Sequence, residues 1–382
     1  MEWGRRGRRA LAYTVCVFGI FGAFGMCDAL ASVKTVAGAE AVPDRAHMQQ
    51  IVARASEHGA RWDGPEAGPR AQAGITLAIV SEDLRNGGIL GVAKGIKEAA
   101  GVIGWTVRVY DAGGTPEGRR RAVASALALQ PGGVVLMGGD AREMQPALTP
   151  FAQRGIPVVG WHVAATAGPI AGSPVAVNVS TDPLAVARLT AMAAVVESGG
   201  HANVVIFTDS NFQIAQAKAA AMAEVIRACS GCRLLAVEDV PISGSAQAMP
   251  GVMHRLLEQH GRVWTHALAI NDIYFDYAAA ELTRAGRPDG IRMLSAGDGS
   301  AAAFLRIQAG AFQTSTVAEP LNLQGWQLVD ELNRLLAHQP VSGYVSPVHL
   351  VTAKNIAFDG GPLGQYDPDS GYRAVYRRIW GR

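Results

Sequence analysis

The sequence predicts an α/β chain of two doubly wound parallel-sheet lobes. Three observations carry that prediction. Residues 75–80 (Ile-Thr-Leu-Ala-Ile-Val) form a short apolar run, the pattern of a strand covered on both faces. Ile89, Val92, Ala93, Ile96 and Ala100 then recur at three- and four-residue spacing and mark one face of a helix. Trp105 to Tyr110 opens a second strand, and the order strand, helix, strand requires a right-handed crossover. A second unit further along repeats the alternation, so two lobes joined by several chain crossings leave a cleft between them.

Taken in order, the chain starts with Arg5, Arg6, Arg8 and Arg9 ahead of an uncharged run from Ala10 to Met26, then Ala29-Leu30-Ala31. That is a secretory signal with cleavage expected after Ala31; the other reading is an uncleaved anchor. Arg8-Arg9 lacks the flanks of a twin-arginine signal, and Met26 before Cys27 is a poor lipoprotein site. Residues 32–73 form an extension, with a helix expected over 43–58. A turn-rich stretch from Trp62 to Pro69 should lie across the first lobe, with Trp62 as a packing anchor.

The first unit reads as strands at 75–80, 105–110, 133–137, 156–160 and 175–179, with helices at 88–103, 116–129 and 142–153. The second reads as helices at 183–198, 213–229, 246–260 and 275–285 with strands at 203–208, 233–238, 266–270 and 291–295. A helix at 300–309, a strand at 312–317, a long amphipathic helix at 321–337 and a strand at 348–352 follow. The tail, 359–382, carries Tyr366, Tyr372, Tyr376 and Trp380 among four arginines, and nothing in its sequence says whether it packs on a lobe or meets a partner.

Composition excludes some functions. With 382 residues, 49% apolar and 17% charged, the chain is globular. Its net charge is +2 with scattered basic residues, which does not make a nucleic-acid footprint. No G-x-S-x-G, H-E-x-x-H or phosphate-loop motif is present, so no catalytic residue, cofactor or metal site is expected. Cys229 and Cys232, at the end of a helix, read as a structural disulfide rather than a redox or metal motif. Asp83 and Asn86 sit in the polar loop after the first strand, where open parallel sheets bind ligands. They serve either as a helix cap and turn or as ligand contacts. Asp140 is read as a cap.

Several motifs now stand in sequence: the first strand with its loop, Gly155 to Val159 (Gly-Ile-Pro-Val-Val), Ala269 to Asp272 (Ala-Ile-Asn-Asp), Gly297-Asp298-Gly299, Thr316 to Pro320 (Thr-Val-Ala-Glu-Pro) and Val351 to Ile356. In this order, behind a signal peptide, they resemble the type I periplasmic binding proteins of the sugar-binding branch, over about residues 74 to 356. The resemblance implies a three-strand hinge, with crossings near 178–182, 318–319 and 343–347. It also implies one lobe of 74–180 plus 319–344 and another of 181–318 plus 345–358.

The resemblance further implies ligand contacts. Asn271, with Asp272 contacting or holding its loop, and Asp298 match the family's ligand-binding positions. Lys218 stands where an arginine is usual and keeps the charge without the planar fork. Trp161 and His162 stand where an acidic residue is usual, Trp161 as a stacking face and His162 as a hydrogen-bond donor. Phe212 is a further ring face. Glu319 replaces the usual hinge glutamine, to bind ligand or bridge the lobes. The implied protein is a periplasmic monomer that closes around a sugar or polyol and delivers it to an ABC transporter permease, with no nucleic-acid partner. The alternative is a sensor subunit reporting the solute to a membrane receptor or kinase.

Overall fold

The computed structural model describes residues 42–59, 61–287, 290–360 and 364–382. The signal segment and the cleavage after Ala31 lie outside the described residues. The described chain begins with α1 (Arg45–Ala55), whose N-cap Asp44 accepts from His47 N at 2.9 Å.

The first lobe follows as β1 (Thr76–Ser81), α2 (Gly87–Ile103), β2 (Thr106–Asp111), α3 (Pro116–Ala128), β3 (Gly133–Met137), α4 (Gln145–Gln153), β4 (Val158–Trp161), β5 (Gly168–Pro169) and β6 (Val175–Val179). β1 shows why the apolar run becomes a central strand. Leu77 and Ile79 enter the core on one face of the sheet, while Ala78 and Val80 enter the core on the other. Asn86 caps α2 by accepting from Gly88 N, and Gly104 ends it in the left-handed conformation. Asp140 accepts from Arg142 N at 2.8 Å in the turn that leads into α4.

The second lobe contains α5 (Pro183–Glu197), β7 (Asn203–Thr208), α6 (Gln213–Ala228), β8 (Arg233–Asp239), α7 (Ser245–His260), β9 (His266–Ala269), α8 (Ile273–Arg284), β10 (Arg292–Ser295), α9 (Ala301–Gln308) and β11 (Gln313–Ala318). The chain then returns to the first lobe as α10 (Leu321–Leu336). It crosses again to β12 (His349–Thr352) and the short α11 (Ile356–Asp359), and ends in α12 (Tyr372–Trp380).

The two sheets repeat one topology. Their strand orders are β2-β1-β3-β4-β6-β5 and β12-β11-β10-β9-β7-β8, parallel except for β5 on β6 and β12 on β11. Each sheet is thus predominantly parallel with one antiparallel edge strand, in keeping with the doubly wound lobes expected. β5 lies inside a stretch read as loop, because a two-residue strand leaves no periodic signal. Three crossings, after β6, after β11 and after α10, join the lobes, as the hinge reading expects.

The terminal segments pack on both lobes. Met48 of α1 enters the second lobe's core. Trp62 lies against Tyr344, Tyr372 and Tyr376, and Trp380 stacks on Trp326 of α10 with centroids 5.4 Å apart. The tail thus covers the first lobe. Cys229 and Cys232 are bonded to each other in the turn after α6, with Cα atoms 5.3 Å apart.

Candidate functional site

In each sheet the strand order reverses beside the first strand, between β1 and β3 and between β7 and β9. Loops at the carboxyl ends of strands diverge at such points and leave a crevice. Here the two crevices face each other and enclose a cavity of about 290 Å³. The first lobe lines it with Glu82, Asp83, Asn86, Arg119, Trp161 and His162. The second contributes Asp209, Phe212, Lys218, Asn271 and Asp298.

On the first-lobe wall the charges are already paired. Arg85 grips Asp83, with Nε to Oδ1 at 2.9 Å and Nη2 to Oδ2 at 2.6 Å. Arg119 Nε lies 2.9 Å from Glu82 Oε2, while burial pushes the Glu82 carboxyl up against that pairing. Asn86 lines the cavity while capping α2, so the two readings of its role are compatible.

Trp161 is placed differently from the stacking face that was expected. β4 runs one residue further than its predicted end, so Trp161 takes the same face as Val159 and enters the core. Only 1% of it is exposed. The His162 ring covers it at 3.7 Å, nearly parallel, and Trp161 Nε1 donates to Gln324 Oε1 at 2.7 Å. Both rings line the cavity, with the His162 ring, its backbone held at φ 54°, lying over that of Trp161.

On the opposite wall, Asn271 Nδ2 donates to Asp298 Oδ2 at 2.7 Å, and Lys218 Nζ donates to Ala296 O at 2.8 Å. Burial pushes Asp298 up to about 6, against the pull of His162 and Lys218. Asp298 also sits against the start of α2. A Cβ on Gly88 would fall 2.1 Å from Asp298 Oδ2, so only glycine lets the two lobes meet there.

Asp272 and Glu319 do not line the cavity. Asp272 is fully buried and accepts from Gly299 N, Ser300 N and Gln313 Nε2, which fixes the turn that carries Asp298. Glu319 is 1% exposed and sits at the hinge. Its Oε2 accepts from Thr181 N at 3.2 Å and Gln324 Nε2 at 2.7 Å. Thr181 meets Ser346 at 2.9 Å, so one buried network ties all three crossings together. Burial would raise the Glu319 carboxyl, but its contact with His162 and the charge of Lys218 overcome this and hold it at about 2.

His162, Asp298 and Glu319 bring potential ligand atoms within 4.8 Å of one another. Lys218 already supplies positive charge to both carboxylates.

Sequence reasoning passed over Arg119, Asp209 and Gln324. Asp209 had a readable signal, since it directly follows β7 as Glu82 follows β1. Arg119 and Gln324 lie on helices, where nothing local shows that the first reaches the cavity and the second supports it through Trp161 and Glu319.

A two-lobed fold with a polar, ring-lined cavity under a three-segment hinge defines a solute-binding protein. The chain belongs to the family described as periplasmic binding protein domain, whose model matches residues 77–340. It is a type I periplasmic binding protein with the fold of the sugar-binding branch. No curated protein sequence matches the chain. Among solved structures it resembles GanP, a glucose-galactose binding protein from Geobacillus stearothermophilus, at 19% identity and TM-score 0.65 over 75% of this chain and 99% of that one. An ABC transporter solute-binding protein from Agrobacterium vitis with bound allitol aligns at 17% identity and TM-score 0.62, over 74% and 97%. A second from the same organism, bound with α-D-tagatopyranose, aligns at 13% identity and TM-score 0.67, over 77% and 99%.

Proposed function

We propose that this chain is a periplasmic solute-binding protein that closes around a sugar or polyol and delivers it to the permease of an ABC transporter. The observation that carries this reading is the cavity itself, enclosed by both lobes, with amide, carboxylate and ammonium groups beside the rings of His162 and Phe212. Polyhydroxylated solutes need such groups, because neighbouring hydroxyls both donate and accept. In this reading Asp298 and Asn271 form the principal contacts, with Lys218, His162, Asp83 and Asn86 around them. Trp161 and Asp272 hold that set in place. The lobes are 74–180 plus 319–344 and 181–318 plus 345–358. Export follows from the basic and apolar N-terminal pattern, with cleavage after Ala31.

A thermal-shift screen of the chain from Ser32 onward, after unfolding and refolding to strip bound solute, tests this. A solute that binds only the folded state raises the melting temperature by mass action. At least one neutral sugar or polyol should do so. A panel of sugars, polyols and sugar acids that leaves the melting temperature unmoved would contradict the reading.

A further inference from the structure

The polar chain from Trp161 to the cavity has a fixed direction. Indole Nε1–H only donates, so the Gln324 atom it meets at 2.7 Å must be the amide oxygen. The Gln324 amide nitrogen then faces Glu319 Oε2 at 2.7 Å, and that oxygen also accepts from Thr181 N. Glu319 is left with Oε1, which lies 2.8 Å from His162 Nε2. The two atoms are not aligned as a full hydrogen bond, and neither has another partner among the described residues. A carboxylate oxygen can only accept, so the proton between them belongs on His162 Nε2. In the neutral ring, which carries one proton, this leaves Nδ1 bare, and Nδ1 is the nitrogen nearer Asp298, 3.8 Å from its Oδ1.

We propose that Glu319 is a positioning residue for solute binding: it keeps the His162 proton on Nε2 and so presents Nδ1, beside Asp298 Oδ1, as half of an acceptor pair for two neighbouring hydroxyls of the solute. This rests on the solute-binding reading and adds to it the group that orients the site. The charged groups around the pair are Lys218 on α6 and Asp272 after β9. Lys218 donates to Ala296 O, and Asp272 is occupied by Gly299, Ser300 and Gln313. The usual hinge residue, glutamine, could not do the same. With its oxygen held by Thr181 and Gln324, its NH₂ would face His162, and the ring would have to carry its proton on Nδ1. That proton would point at Asp298 and compete with the solute.

The test is the ring ¹⁵N spectrum of histidine-labelled protein, with His162 assigned by comparison with His162→Asn. The expected result is the Nε2–H signature in the wild type and Nδ1–H in Glu319→Gln. Titration calorimetry with D-allose, D-tagatose and allitol supplies the second readout. Glu319→Gln should bind whichever probe the wild type binds about ten- to a hundredfold more weakly, the effect of losing one hydrogen bond to a charged group. Its melting temperature should stay close to that of the wild type. A wild-type ring protonated at Nδ1, alone or together with Nε2, or equal affinity in both proteins, would overturn the proposal. The ring spectrum needs no solute and decides the inference by itself, whereas failure of every probe and of the wider panel counts against the solute-binding reading.

Discussion

The cleft floor and the face formed by α10 and α12 both set buried charge against aromatic rings, but they are wired in opposite ways. On the α10–α12 face the network is closed around its carboxylate. Asp330 accepts from Trp380 Nε1 at 2.8 Å and from Arg334 Nε at 2.7 Å, and Arg334 Nη2 donates to Ala67 O at 2.6 Å. Asn333 ties in Gln72 and Pro69 from the extension. On the cleft floor, His162 Nε2 and Glu319 Oε1 face each other without alignment, and Asp298 Oδ1 has His162 Nδ1 only at 3.8 Å. A carboxylate with both oxygens satisfied, like Asp330, holds a fold, even though Trp326 Nε1 and Tyr376 OH on the same face have no partner among the described residues. An unfinished network costs stability unless another molecule completes it. The difference separates the region that keeps the first lobe together from the region proposed to take a solute.

Substitutions can break that contrast. The largest effect is expected on the tail, where Trp380→Ala removes a ring that is 1% exposed and stacked on Trp326. It should cost about 3–5 kcal/mol in denaturant unfolding and leave solute affinity unchanged. A fall in affinity of the still-folded variant would join two regions that are held here to be separate. Next in size, Asp298→Ala should weaken solute binding about a hundredfold with little change in melting temperature. Burial lifts Asp298 to about 6, and the solute hydroxyl donates to its ionised form, so wild-type affinity should fall as pH drops through that value. Asp298→Asn should flatten the profile, and a wild-type profile already flat from pH 5 to 8 would argue against this contact. Smaller again is the Cys229–Cys232 bond. It closes a very short loop, so reduction should cost about 2 kcal/mol. Free-thiol labelling of both residues in exported protein would contradict the bond.

The same contrast explains what could be read from the sequence. The alternation of apolar runs and amphipathic helices reveals both lobes, because strand and helix periods are local properties. Asn271 and Asp298 follow strands, and with Lys218 on α6 they were marked out by the family resemblance; the structure brings all three to one cavity. Trp161 lines the cavity but lies deeper than a stacking face read from the sequence, because one added residue of strand turns its side chain toward the core. Glu319 could be seen as a departure, but its partners Thr181 and Gln324 come from other crossings and helices, 138 and 5 residues away. The packing of the tail was unreadable for the same reason. Its aromatic spacing fits a helix face, while the rings that receive it, Trp62 and Trp326, lie far away in the sequence.

The central claim is that the cavity under the hinge, not another surface, takes the solute. Amide hydrogen exchange with and without the sugar or polyol found in the screen tests it most directly. The account predicts added protection in residues 82–89, 160–163, 208–218, 270–272 and 296–299 and across the three crossings, with α12 unchanged. Protection confined to other segments, with these indifferent to a solute that demonstrably binds, would contradict it.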